Sequence, residues 1–273
     1  MVGAGSGAMR GIIPRSLEQI GRYKETLEKE GWSYSVSVSY LEIYQERIRD
    51  LLRSEKSGET KHDIKVDGHG NRFVTNLTTQ PLDPTDQDAI QDVMRLAAKH
   101  RSVGATDMNQ ESSRSHAVFS LYLRATNDSE GQRISSILNL VDLAGSERLD
   151  RSGATGSRMK EAVAINKSLS CLSDVFVALS EKRGHIPYRN SKLTYLLQPC
   201  MSGEGKTLMI ANISPTEASA QESLCSLRFA SQVNNVELGR ARKRIEDADG
   251  SSQGTPVTKK QRAGTPLKWS RKK

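Results

Sequence analysis

Residues 134–143 constrain the fold more than any other part of the 273-residue chain. They form a nearly continuous apolar run, the pattern of a strand covered on both faces, and the run closes on Asp142 with Gly145 three residues later. In α/β proteins that handle phosphates this layout has a chemical reason. A carboxylate at a strand end can hold Mg²⁺ through water, and a glycine without Cβ lets its backbone N–H approach a terminal phosphate. A bare D-x-x-G also occurs in ordinary strand-to-loop turns, so its surroundings must decide.

Residues 32–44 alternate, with Tyr34, Val36, Val38 and Tyr40 on one side, and pass into Ile48, Leu51 and Leu52; this predicts a strand running into a short helix. Residues 117–125 and 207–213 read as further strands. Ile165, Leu169, Leu172, Phe176 and Leu179 fall on one helix face, and residues 86–99 predict another helix. Ser214-Pro215-Thr216-Glu217 has the form of a capping box opening a helix with Ala220, Leu224, Leu227 and Ala230 on one side. Strands interleaved with helices imply an α/β fold with a central, mostly parallel or mixed sheet flanked by helices.

The net charge of +8 comes entirely from the end of the chain: residues 240–273 hold 11 Lys/Arg against 3 Asp/Glu, whereas residues 1–239 are balanced at 29 of each. The body therefore recognises partners through local patches rather than a general field, which argues against nucleic acid. From residue 240 the apolar periodicity stops, so the chain divides into a folded domain, 1–239, and a basic tail, 240–273, predicted disordered from 245. Cys171, Cys200 and Cys225 lack metal-ligand spacing and read as unpaired thiols of a reducing compartment. No segment approaches the about 18 apolar residues of a membrane span. The expected location is the cytosol or nucleus.

A second polar passage, Asn109-Gln110-Glu111-Ser112-Ser113-Arg114-Ser115-His116, immediately precedes a predicted strand. Its hydroxyls can ligate Mg²⁺ or position water, and Arg114 can pair with an acid such as Glu147. Alone, it reads equally as a Ser-rich surface loop.

Together these two passages resemble the switch I and switch II signatures of kinesins, and the resemblance runs over residues 11–239. Gly11-Ile12-Ile13-Pro14-Arg15, Tyr40-Leu41-Glu42-Ile43-Tyr44, Asn166-Lys167-Ser168-Leu169, His185-Ile186-Pro187-Tyr188-Arg189 and Asn212-Ile213-Ser214-Pro215 follow in the family's order. The resemblance implies the P-loop NTPase-like kinesin motor fold, with ATP and Mg²⁺ as cofactors and microtubules as partner. It implies that Asp142 and Ser113 serve the metal, Asn109 and Ser112 line the nucleotide, and Gly145 senses the γ-phosphate. Arg114 and Glu147 would latch the switches, or only tie two loops together. Lys182, Arg183, His185, Arg189 and Lys192 would face the acidic tubulin surface, the alternative being a solvated helix end.

The family's G-x-x-x-x-G-K-[ST] phosphate loop has no counterpart. Gly203-Glu204-Gly205-Lys206-Thr207 fails because Cys200 occupies the first glycine position. The expectation is that the loop and its strands lie upstream of Met1, that this chain alone hydrolyses no ATP, and that its sheet exposes apolar surface. A short product that binds microtubules as a non-enzymatic adaptor is the alternative. Ser226–Gly239 resembles C-terminal-motor, minus-end kinesins, which dimerise through a coiled coil outside this chain. The tail clusters 240–244, 259–262 and 271–273 suit acidic tubulin tails, nucleic acid or nuclear import receptors, or form a solubilising arm.

Overall fold

The computed structural model describes residues 1–3, 9–54, 60–68, 71–103, 114–145, 157–203, 205–239 and 246–247. The chain opens with helix α1 (Ile12–Glu28), which the periodicity reading did not find. Its signal was Pro14 in the first turn, where a missing N–H costs nothing, with Ile13 and Leu17 fully buried on the inward face.

Strand β1 (Ser33–Tyr44) is followed by β2 (Arg47–Asp50), not by the expected short helix. Gln45 and Glu46 both take positive φ, 47° and 58°, and so make the two-residue turn whose twist suits a hairpin. The chain thus reverses, pairing Ile43 with Ile48 and Leu41 with Asp50. A small hairpin follows, β3 (Ile64–Val66) with β4 (Arg72–Val74), then a two-residue strand β5 (Gln80–Pro81) on β1. Helix α2 (Gln87–Val103) is begun by Asp86, whose Oδ1 accepts from the N–H groups of Asp88 and Ala89 at 3.0 Å each.

The long strands β6 (His116–Asn127) and β7 (Gln132–Asp142) complete the sheet, in the order β2-β1-β6-β7-β8, where β8 is Glu246–Asp247. Every pairing among the described strands is antiparallel, so the parallel neighbours of the expected mixed sheet are not among them. Inward residues sort by period two. Val36, Val38, Tyr40, Ala117, Phe119 and Leu121 pack under α1 and α2, with Tyr40 and Phe119 edge-on at 5.5 Å. Leu41, Ile43 and Val118 face the opposite side, under Leu193.

On that side lie α3 (Ser157–Ser180), α4 (Lys192–Leu196), α5 (Gln198–Met201) and α6 (Ala220–Asn234). Leu172, Val175 and Phe176 of α3 are buried against Tyr188 and Met201, and Phe229 of α6 meets Phe176 edge-on at 6.0 Å. The fold is thus helices on both faces of a sheet, as expected.

Three local expectations are corrected. Residues 207–213 form no strand: no described strand lies alongside them, and Leu208 is 84% exposed. Nor is β7 covered on both faces. Ile137 and Leu138 are exposed, and beyond Arg133 the outer edge of β7 has no described partner strand. Finally, Ser214 Oγ accepts from the N–H of Thr216 at 3.3 Å, a local turn that competes with capping; the helical stretch begins as a 3₁₀ turn at Glu217–Ser219 and becomes α6 at Ala220. Its expected apolar face is partly in solvent, with Leu224 and Leu227 exposed. Of the tail, Glu246 and Asp247 pair with Arg133 and Gln132; its other residues lie outside the described ones.

Candidate functional site

Two sequence passages far apart in the chain meet because β6 begins where one ends and β7 ends where the other begins. Antiparallel pairing sets Ala117 opposite Asp142, so Arg114, Ser115 and His116 stand beside the turn Leu143-Ala144-Gly145. Asn109, Ser112, Ser113 and Glu147 lie outside the described residues, and with them the Arg114–Glu147 pair.

Asp142 keeps 44% of its side chain exposed at the strand end, with the Met1 ammonium 3.8 Å from its carboxylate. An exposed carboxylate there fits the role of holding Mg²⁺ through water.

Behind this surface two buried polar groups fix the geometry. His116, 2% exposed, accepts at Nδ1 from the backbone N–H of Ala144, 3.0 Å away, and its Nε2 lies 2.7 Å from Ser168 Oγ on α3. Burial pushes its pKa down to about 4, so the ring is neutral. Glu42 on β1, 1% exposed, accepts from Ser115 Oγ at 2.5 Å and from Arg101 Nε at 3.3 Å, with Arg49 at 3.7 Å from its other oxygen. The sequence reading assigned neither residue a part in this geometry. Their hydrogen-bond partners are 28 to 73 positions away, which no local pattern reveals.

At the far end of α3, Lys182, Arg183, His185 and Arg189 are exposed, as a contact surface requires. Arg183 is partly neutralised by Glu181 at 2.6 Å. Lys192 differs: it is half-buried, its N–H donates to Glu46 at 2.7 Å, and its Nζ lies 3.9 Å from Asp63 on the approach to β3. Lys192 thus also ties α4 to the approach to the β3–β4 hairpin. The hairpin is fastened again by Arg72, whose guanidinium lies 4.9 Å from the ring of Tyr195, with Arg189 5.8 Å from the same ring.

The family model for the kinesin motor domain matches residues 1–236. The chain belongs to the kinesin motor-domain family. It is 51% identical over 242 residues to the kinesin-like protein KIN-14N of rice, a match that covers 87% of the chain and 31% of the relative. The C-terminal motor domain of Kar3 from Candida glabrata superposes with a TM-score of 0.70 at 44% identity, over 85% of this chain and 67% of that one. A fast kinesin gives 0.80 at 38% identity, over 90% and 68%. The chain thus spans about a third of the length of the curated relative and two thirds of the solved motor domains, and its fold is that of kinesin motors.

Proposed function

We propose that this chain is the nucleotide-switching and track-contacting portion of a microtubule motor that couples ATP binding and hydrolysis to microtubule binding and movement. The observation that carries this reading is the pairing of β6 with β7. It sets the exit of the Ser-Ser-Arg passage beside the Asp142–Gly145 turn, and α3 runs from that neighbourhood to the exposed basic loop. A displacement at one end has a short, rigid route to the other. The adaptor reading has no comparable feature in its favour.

Bound ATP with Mg²⁺ would supply the transferable phosphoryl group and neutralise its developing charge. Asp142 would hold the ion through water opposite Ser113, with Asn109 and Ser112 lining the nucleotide. Gly145 would offer its N–H to the terminal phosphate, and Arg114 with Glu147 would latch the two passages. Lys182, Arg183, His185 and Arg189 would meet the acidic track. Similarity to KIN-14N and to a C-terminal Kar3 motor supports a C-terminal motor. We read its movement as minus-end directed, its location as cytoplasmic microtubules and its dimerisation as a coiled coil outside this chain. A nuclear role has only the tail's charge to support it.

The test is steady-state ATP hydrolysis by the complete gene product with and without microtubules. Hydrolysis should accelerate with microtubules and lose that acceleration in Gly145→Ala. A wild-type protein that binds microtubules with no acceleration at all overturns the reading in favour of the adaptor.

A further inference from the structure

His116 is a buried titratable side chain for which the switch scheme above has no use. A backbone N–H can only donate, so Nδ1, which faces the N–H of Ala144 at 3.0 Å, is the accepting nitrogen and the ring proton sits on Nε2. Nε2–H then donates to Ser168 Oγ at 2.7 Å, and the Ser168 hydroxyl donates in turn to the carbonyl of Ile165, also at 2.7 Å. This direction satisfies all four groups at once. A chain of three hydrogen bonds therefore runs from the amide beside Gly145 into the backbone of α3.

Among the described residues, this is the hydrogen-bonded link between the 143–145 turn and α3. Their other contact is apolar, Leu143 against the cluster of Leu172 and Phe176. Apolar contact is non-directional and tolerates sliding, whereas a buried hydrogen bond costs its desolvation when stretched. Leu in place of His116 would fill similar space, but it would strand the Ala144 N–H and remove the partner of Ser168.

Resting on the motor reading, we propose that His116 is a positioning residue of the switch: through Ser168 it fastens the Gly145 turn to α3, so that turn and helix shift as one unit. The neutral ring that burial enforces is the form the relay needs.

Ser168→Ala deletes the middle of the relay and leaves the ring in place, and Ser168→Thr keeps the hydroxyl. His116→Asn keeps an acceptor for Ala144 and loses the donor to Ser168. In the complete protein, amide exchange at Ala144 and at residues 165–169 should rise together, by about tenfold, in Ser168→Ala and in His116→Asn, and return towards wild type in Ser168→Thr. The microtubule-stimulated kcat should fall by about tenfold with the KM for ATP within about twofold, the signature of lost coupling rather than lost binding. Faster exchange confined to α3, with Ala144 unchanged, overturns the link whether or not the protein is a motor. Full stimulation in Ser168→Ala overturns its role in coupling. A wild type that microtubules never stimulate refutes the motor reading alone, and the exchange result still decides the link.

Discussion

Ser115 donates to the buried carboxylate of Glu42 across 2.5 Å, and the same oxygen accepts from Arg101 at 3.3 Å. Arg101 lies in α2, before the stretch with Asn109, Ser112 and Ser113, and Ser115 lies just after it. One side chain of β1 therefore anchors both flanks of the first switch passage. Glu42→Ala removes one partner of a buried ion pair and should destabilise the protein by about 3–5 kcal/mol, whereas Glu42→Gln, which keeps an acceptor, should cost well under that. Urea unfolding of the complete protein measures both. Equal losses for the two variants would show that the charge of the carboxylate, not its volume or its acceptor oxygen, sets the anchor.

Acid should weaken the fold through His116. Its folded pKa of about 4 lies below the ordinary 6.5, so between those values the unfolded chain binds a proton that the folded one refuses. Stability is full above pH 6.5 and falls as pH drops towards 4, by on the order of 3 kcal/mol. Urea midpoints against pH should slope across this window in the wild type and flatten in His116→Asn. A wild-type curve that is level over the window contradicts it.

The sequence made half of this site legible. Asp142, Gly145 and Arg114 stand out as candidates because strand ends and motif spacing are local. His116–Ser168 and Glu42–Ser115 do not, since helix packing on the sheet and sheet register bring together residues 52 and 73 positions apart. The same division holds for the fold. The periodic stretches of β1, β6, α2 and α3 were readable, while the turn at Gln45–Glu46 lacks the Asn-Gly or Gly signature that marks a hairpin. Ile48, Leu51 and Leu52 then looked like a helix face. Residues 207–213 have a strand's composition, but a strand requires a neighbour to accept its backbone hydrogen bonds.

On the track side, Lys182 and Arg189 should matter more than Lys192. The first two are exposed, whereas Lys192 reaches Asp63 and has 31% of its side chain exposed. Lys182→Ala with Arg189→Ala should raise the half-saturating tubulin concentration about fivefold at low salt, less at high salt, and spare hydrolysis without microtubules. Lys192→Ala should leave that concentration nearly unchanged and cost up to about 1 kcal/mol of stability. The opposite ranking would place the track contact on the hairpin side.

The tail holds 11 Lys/Arg against 3 Asp/Glu, and that excess is sensitive to screening. Removing residues 240–273 should weaken microtubule cosedimentation at low ionic strength and change little at high. Equal binding at low ionic strength would exclude the tail as a tubulin contact.

The proposed latch makes the sharpest separation between switch and track. Arg114 stands beside the Gly145 turn, and Glu147 follows that turn by two residues in the sequence; as proposed, the pair would report whether the two passages have closed. Removing one partner of a pair that is buried in the closed state costs about 3–5 kcal/mol, enough to move that state from dominant to rare. Glu147→Ala in the complete protein should therefore leave ATP binding nearly intact and remove most of the microtubule stimulation of hydrolysis. The restoring experiment is a charge swap, Arg114→Glu with Glu147→Arg, which should recover part of the stimulated rate while each single swap does not. Fluorescent-nucleotide binding and hydrolysis against tubulin concentration read the two effects separately. If Glu147→Ala only raises the half-saturating tubulin concentration and keeps the maximal rate, the pair belongs to the track contact and the division between switch and track drawn here is wrong.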